Sequence, residues 1–305
     1  MNKKLLGILA VASCYVLIGS SYPVAQDAVS SIPTWTFTGI TIFIGFLVQY
    51  PFTIFNEKTK WSEISFKEWT TVSVLTLLGN ILYTVFLLYG MSGTNATTAA
   101  VVSSSVPALV LLLSFIFLKD KLQAKMIISV ALAIISVIMM SMPDNVSSGH
   151  SSAFGLTMLS LSALCNATYV IIAKKFTSVL KPWTFSAAVC LTGAIFTLPM
   201  MFYELKTFSL LTLSISQIST MVYYGVFVWA IPIYLFLWGI QYISATTTGM
   251  MFSFIPLASI LTSVLFFNGH ARHIDLIAIA LVVLSVIISE APLGKSNVKK
   301  FSNPI

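Results

Sequence analysis

Residues 89–117 read YGMSGTNATTAAVVSSSVPALVLLLSFIF, and residues 238–266 repeat this stretch without a gap as WGIQYISATTTGMMFSFIPLASILTSVLF. The match continues to Ser141 and Glu290 and holds roughly fifteen identities in about fifty positions, including the pair Pro107 and Pro256. Each copy is long enough for two membrane-spanning helices, because about 20 apolar residues cross a hydrocarbon layer. A duplicated membrane unit of this kind is typical of a transporter.

The composition also indicates a membrane protein. Hydrophobic residues make up 57% of the 305 residues and charged residues 8%, and the mean hydropathy is +0.95. One globule of this size has too little interior to bury so many apolar side chains. The solvent of this chain must therefore be largely lipid.

Ten apolar runs follow one another along the chain with short connections, which leaves no soluble domain. They lie at about 4–23, 33–55, 69–90, 95–118, 124–142, 153–173, 183–203, 217–239, 244–267 and 273–290. The sequence thus predicts an all-α integral membrane protein with ten transmembrane helices. Its two five-helix repeats are predicted to cover residues 1–148 and 149–305.

An odd number of helices in each repeat gives the two copies opposite orientations. If the N-terminus is cytoplasmic, fourteen of the 16 basic residues lie inside, and only Lys206 and Arg272 lie outside. We therefore expect a multi-pass protein of the plasma membrane with both termini in the cytoplasm. The basic pI of about 9.3 reflects lysines beside anionic lipid headgroups, and it gives no support for nucleic-acid binding.

Several short motifs resemble one family of transporters. They are Gly19–Pro23 in run one, the prolines at the centres of runs four and nine, Lys119-Asp120 after run four, and Ile243–Thr246 at the start of run nine. With the inverted repeat, they resemble the drug/metabolite transporter superfamily in its EamA-type branch. The chain departs from that pattern at Ile18, where the family usually has Trp, and at Asn268-Gly269, where it often has Gly-Glu. The resemblance implies a central cavity lined by helices 1, 3, 4, 6, 8 and 9, alternating access, and usually export in bacteria.

Charge is absent from the middle of the predicted spans. None of the nine acids lies at mid-membrane, which weakens the case for proton coupling through a buried carboxylate. Substrate recognition must then use neutral groups. The predicted substrate-binding residues are Asn80, Tyr83, Ser104, Asn166, Tyr169, Trp229 and Ser253, and a wider set of mid-span candidates comprises Ser20, Ser21, Tyr22, Ser103, Ser105, Tyr223, Tyr234 and Phe254.

Asn80 and Trp229 are equivalent positions of the two repeats, 149 residues apart. An amide in hydrocarbon needs partners and usually faces protein or water, so Asn80 and Asn166 are favoured over the serines. Serines in membrane helices commonly bond their own backbone instead. Pro107 and Pro256 each remove a backbone donor, which makes them gating points or static kinks.

We expect an exporter of small amphiphilic metabolites, with amino acids and their derivatives first, the aromatic ones included. A quaternary-ammonium solute such as choline is the alternative, since Tyr and Trp faces hold a cation without a carboxylate. A membrane-embedded enzyme or a channel is more distant, because the spans contain no acid pair, no His-rich metal motif and no nucleophile with a base. We therefore predict no catalytic residue, no metal and no cofactor, with a small-molecule substrate and membrane lipids as partners.

Overall fold

The computed structural model describes residues 3–92, 102, 105–120, 123–141, 152–176, 180–266 and 273–290. Over these residues the chain forms helices and no β-strand. Ser103 and Ser104 lie outside the described residues, as does the side chain of Tyr22.

Ten helices, numbered α1 to α10, follow the ten predicted apolar runs. They are α1 Lys3–Ser31, α2 Thr34–Phe55, α3 66–92, α4 Val106–Leu118, α5 Ala124–Ser141, α6 Ala153–Lys175, α7 Pro182–Glu204, α8 Ile215–Gly239, α9 Ala245–Phe266 and α10 His273–Glu290. Among the described residues, seven helices are long and apolar enough to cross a membrane, and α4, α5 and α10 are shorter apolar helices. The predicted all-α fold of ten helices is confirmed.

Matched capping boxes open α3 and α8, at equivalent positions of the two repeats. Ser65 accepts a hydrogen bond from the backbone N–H of Glu68, whose carboxylate accepts one from the Ser65 N–H. Ser214 and Gln217 make the same pair of bonds 149 residues later. A capping box satisfies two of the N–H groups that have no partner inside a helix. The repeat is therefore visible in local hydrogen bonding as well as in hydropathy.

The second helices of the two repeats, α2 and α7, are antiparallel, because the start of each lies beside the end of the other. The two repeats are therefore inverted relative to each other. We call the end of the bundle where α1 begins the N-side and the opposite end the far side. The most extensive helix pair is α2 with α7, and α5 packs against α10. Helices α1, α3, α6, α8 and α9 enclose the centre, where α1 contacts α8 and α9 and α3 contacts α6.

Three of the inner helices are irregular near their middle. Helix α3 is π-helical over Leu77–Leu82 and α8 over Gly225–Ala230, and α9 is interrupted between Met251 and Phe254. Pro232 lies two residues after the end of the π segment of α8, where its missing N–H leaves a carbonyl one turn earlier without its usual donor. Such segments are frequent at functional sites because they redirect side chains.

The two repeat-matched prolines lie in the first turn of a helical segment. Pro107 is near the start of the segment Val106–Leu113, and Pro256 is near the start of Phe254–Phe266. A proline costs little in the first turn, since the N–H groups there have no acceptor in the helix. The interruption of α9 lies before Pro256, and the gating role of both prolines stays a prediction.

Candidate functional site

A cavity of about 170 Å³ lies at the centre of the bundle. Five helices, α1, α3, α6, α8 and α9, contribute its walls. The lining residues are Cys14, Tyr15, Ile18, Gly79, Asn80, Tyr83, Thr84, Asn166, Tyr169, Val228, Trp229, Ile233, Phe236, Phe252 and Ile255. None of these residues is charged, so the cavity offers aromatic faces, hydroxyls and amides.

Five of the seven predicted substrate-binding residues lie together in this lining: Asn80, Tyr83, Asn166, Tyr169 and Trp229. Ser253 is fully buried beside the cavity, between the lining residue Phe252 and the second segment of α9, and its Oγ has no hydrogen-bond partner among the described residues. Ser104, its equivalent in the first repeat, falls outside the described residues. That these side chains bind substrate stays a prediction.

The paired π segments carry four of the lining residues, two of which are predicted substrate-binding residues. Asn80 lies in the π segment of α3 and Trp229 in that of α8. The Trp229 Nε1–H donates to Thr41 Oγ1 on α2 at 3.0 Å, and the Gln49 side chain donates to the Ala230 carbonyl. Both bonds tie the irregular part of α8, which includes the lining residue Trp229, to α2.

Asn80 is incompletely satisfied. Its Nδ2 is buried, and it has no hydrogen-bond acceptor among the described residues. The residue also borders a small second cavity, lined by Thr34, Trp35, Thr38, Ile81 and Thr84. A buried donor without an acceptor costs about 1–3 kcal/mol, so this amide is a natural partner for a polar group brought in by a ligand.

Aromatic contacts hold the walls together. Tyr15 meets Phe236 and Phe252 edge to face, with ring centroids 6.3 and 5.8 Å apart, and Tyr169 stacks on Phe236 at 5.2 Å. Gly79 allows the Tyr169 ring to reach the backbone of α3, since any Cβ at Gly79 would overlap that ring. The rings form one continuous surface across α1, α6, α8 and α9.

The N-side of the cavity is closed by α1 and α8. A Cβ at Gly7 would lie 2.9 Å from the Gly239 carbonyl oxygen and 2.8 Å from Tyr242 Cβ, so the two backbones are in contact there. Nearby, Lys174 Nζ donates to the carbonyls of Ile240 and Gln241, at 2.7 and 3.3 Å, which holds the end of α8 against α6. Burial raises the pKa of Asp120, just after α4, and the positive charge of Lys174 acts in the opposite direction.

Toward the far side, three of the five helices that line the cavity, α1, α8 and α9, form a separate crevice. It is lined by Ser20, Val24, Tyr223, Thr262 and Phe266 and has a volume of about 340 Å³. Along the helices these residues lie about half a turn to three turns beyond Ile18, Val228 and Ile255 of the central cavity. The far side of the bundle thus has open space between these helices, whereas at the N-side the backbones of α1 and α8 are in contact.

Other sequence candidates lie elsewhere. Tyr234 stacks on Trp183 with ring centroids 3.7 Å apart, outside the cavity, and the Ser21 hydroxyl donates to the Ile18 carbonyl of its own helix. In α1 the lining consists of Cys14, Tyr15 and Ile18, about one turn closer to the N-side than the predicted candidates. The spacing of Cys14 and Ile18 on one helix face was the available signal.

The sequence is similar to those of known proteins. The model of the EamA-like transporter family matches residues 5–142 and again residues 153–290. An uncharacterized transporter, YetK of Bacillus subtilis (strain 168), is 24% identical over 291 residues, which is 95% of this chain and 88% of that protein. Protein PagO of Salmonella typhimurium is 26% identical over 199 residues, covering 65% of each chain.

A solved structure titled "Crystal structure of protein" superposes with a TM-score of 0.78. It is 17% identical and covers 94% of this chain and 96% of that chain, so it supports the fold alone. The resemblance derived from the sequence is confirmed by the family match, and so is the architecture of two inverted five-helix repeats. The boundaries of the repeats at 1–148 and 149–305 stay a prediction.

Proposed function

Because the chain belongs to the EamA-like transporter family, we propose that this membrane transporter of the drug/metabolite type carries small amphiphilic metabolites, with amino acids and their derivatives first. The central cavity would bind the substrate, and alternating access would expose it to each side of the membrane in turn. We further propose export across the plasma membrane with both termini in the cytoplasm. The concentration of lysines at the N-side supports this orientation.

The observation that carries the proposed substrate class is the uncharged lining of the cavity, which combines aromatic faces with two amides. An amide donates and accepts, so Asn80 and Asn166 can pair with either the carboxylate or the ammonium of a zwitterion. A solute with a net charge would lack a counter-ion there, which disfavours it in a medium of low dielectric constant. The aromatic rings then suit an apolar side chain.

The size of the cavity points the same way. Its volume of about 170 Å³ is below the range of about 300–1,000 Å³ that is typical of sites for drug-sized ligands. A metabolite with few heavy atoms fits such a space better than a large drug.

A quaternary-ammonium solute is the second candidate, and one specific observation favours it. Tyr15, Tyr169 and Trp229 line the cavity without a carboxylate. Aromatic faces attract a desolvated cation by about 2 kcal/mol. Such a ligand would depend on the ring of Trp229 and be insensitive to the amide of Asn80.

Thermal stabilisation of the purified protein tests both candidates. A ligand that binds only the folded state raises the melting temperature, Tm, by mass action. We expect phenylalanine or tryptophan to raise Tm, and we expect Asn80→Ala and Trp229→Ala each to abolish that shift. Trp238→Ala is the matched control, because Trp238 is on the same helix, contacts Tyr242 and does not line the cavity.

The pattern of shifts decides between the candidates. A shift with choline alone, lost in Trp229→Ala and kept in Asn80→Ala, would replace the amino-acid proposal with the quaternary-ammonium one. If the ligand-induced rise in Tm is reduced equally in Trp238→Ala and Trp229→Ala, the central cavity is not the binding site, and this part of the proposal is wrong.

A further inference from the structure

Helices α2 and α7 cap each other. At the far side, the last residue of α7, Glu204, reaches the first turn of α2. Its carboxylate accepts hydrogen bonds from the backbone N–H groups of Trp35 and Thr36, at 3.2 and 2.7 Å, and from the Thr36 hydroxyl at 2.9 Å. A negative charge at this position satisfies free N–H groups and complements the helix dipole.

The same arrangement occurs at the N-side with the helices exchanged. Glu57, two residues after the end of α2, accepts from the N–H groups of Trp183 and Thr184 at 2.9 and 2.8 Å, and from the Thr184 hydroxyl at 2.7 Å. Lys181 Nζ donates to the Glu57 carbonyl at 2.7 Å and adds a further link between the two chain segments. Each repeat therefore supplies the carboxylate that caps the other repeat.

The sequences of α2 and α7 match each other at the capped helix starts and at an interior proline. Trp35-Thr36-Phe37 aligns with Trp183-Thr184-Phe185 at an offset of 148 residues, and the interior prolines Pro51 and Pro199 have the same offset. The capping carboxylates are 147 residues apart. The two contacts are thus related by the inverted repeat, one at each face of the membrane.

Between its caps, the α2–α7 interface is closely packed and rich in buried hydroxyls. Ile42 is fully buried and lies against Gly193, where any Cβ would overlap its side chain. A Cβ placed on Gly39 would lie 3.6 Å from Thr197 Cβ. Small residues of this kind allow helix backbones to approach closely in a membrane. Neither helix contributes a residue to the central cavity.

The α1–α8 contact has a different character. It closes the N-side of the cavity through Gly7 and Gly239, whose backbones touch, and Val11 is buried in it. Both helices line the cavity, and the aromatic contact of Tyr15 with Phe236 lies just above. A contact between glycine backbones can separate without leaving a carboxylate or a buried amide unpaired. Separation of α2 from α7 would leave two carboxylates and four N–H groups without partners.

We propose that α2 and α7 form the fixed axis of the transport cycle, and that α1 and α8 separate at the N-side to open the cavity there. The two carboxylate caps keep the axis closed at both membrane faces while the inner helices move. This assignment concerns the moving parts and holds for any substrate of the cavity.

Thiol accessibility tests the assignment without a substrate. The positions are Val11, in the α1–α8 contact, and Ile42, in the axis, and both side chains are fully buried in this structure. Each is changed to cysteine in a background with Cys14, Cys165 and Cys190 replaced by alanine. We expect a membrane-impermeant maleimide applied from the N-side to label the Val11→Cys variant at least tenfold faster than the Ile42→Cys variant. Equal rates, or faster labelling in the axis, would overturn the assignment.

A reversible cross-link gives the second measurement. The pair Gly39→Cys and Thr197→Cys suits a disulfide, since the Cβ separation of 3.6 Å falls in the usual range of about 3.5–4.5 Å. With the native cysteines retained, phenylalanine flux in proteoliposomes should agree within twofold before and after reduction. Flux that is lost on oxidation and restored by reduction would show that the axis moves. Absence of phenylalanine flux in both states would contradict the proposed substrate class, and the labelling rates would then decide the assignment alone.

Discussion

At the scale of single residues, the cavity depends on side chains whose polar ends are held outside it. The Trp229 indole donates to Thr41, which is fully buried on α2, and the Tyr83 carbonyl accepts from the Ser162 hydroxyl on α6 at 3.0 Å. The first bond holds the Trp229 indole in the π segment of α8, and the second holds the backbone directly after the π segment of α3. Asn80 differs, because its Nδ2 has no acceptor among the described residues.

The Thr41–Trp229 bond gives a prediction at this scale. Thr41→Val keeps the shape of the side chain and removes the acceptor, so the Trp229 Nε1–H loses its partner. We expect the free energy of unfolding to fall by about 1–3 kcal/mol, measured by thermal and denaturant unfolding in detergent. In a Trp229→Phe background the same change should cost much less, because phenylalanine has no donor to leave unpaired. An equal loss in both backgrounds would contradict a direct bond.

At the scale of helices, the ends and the irregular segments decide how elements fit together. Capping boxes begin α3 and α8 within one helix each, whereas α2 and α7 begin with carboxylates from the partner helix. The π segments of α3 and α8 occupy nearly equivalent positions in the two repeats and both face the cavity. Local sequence therefore specifies some helix starts, and helix pairing specifies others.

The two carboxylate caps are equivalent, so we expect removal of either one to lower the stability of the protein by a similar amount. Glu57→Ala and Glu204→Ala should each lower the free energy of unfolding by about 1–2 kcal/mol, because two N–H groups of the partner helix lose their acceptor. Glu→Gln at either position should lose less, since the amide oxygen still accepts. The control is Glu63→Ala, which removes an exposed ion pair with Lys60 worth at most about 1 kcal/mol. A Glu63→Ala loss as large as that of Glu57→Ala would contradict the role of the cap.

At the scale of the whole molecule, the inverted repeat places one uncharged cavity between two halves of similar structure. Equivalent helix ends therefore lie at the two faces of the membrane. The caps of α2 and α7 are one such pair. The lining residues that the structure describes include no carboxylate, imidazole or lysine, which disfavours proton transfer by a side chain of the cavity at mid-membrane.

The uncharged cavity predicts the energetics of transport. Flux of phenylalanine in proteoliposomes should run down a substrate gradient without an imposed pH gradient, and it should saturate with substrate concentration. Flux that appears only after an inward-acid pH jump would contradict this prediction. Glu290, at the end of α10, would then be the first carboxylate to replace, with Glu290→Gln as the test.

The sequence by itself determined the membrane environment, the ten helices and the inverted repeat, because hydropathy and the 149-residue match are properties of the chain alone. It also predicted five lining residues, since an amide, a phenol or an indole in the middle of an apolar run needs a polar partner and therefore tends to face protein or water. The capping boxes at Ser65 and Ser214 are equally local, with all their partners within three residues.

Only the tertiary structure decided which helix faces meet. In lipid, the outward and inward faces of a helix are both apolar, so periodicity does not distinguish them. The bonds from Thr36 to Glu204 and from Trp229 to Thr41 join residues 168 and 188 positions apart, and no local pattern predicts them. The aromatic surface of Tyr15, Phe236 and Phe252 likewise exists only once α1, α8 and α9 are packed, which is why the α1 residues of the cavity differ from those predicted.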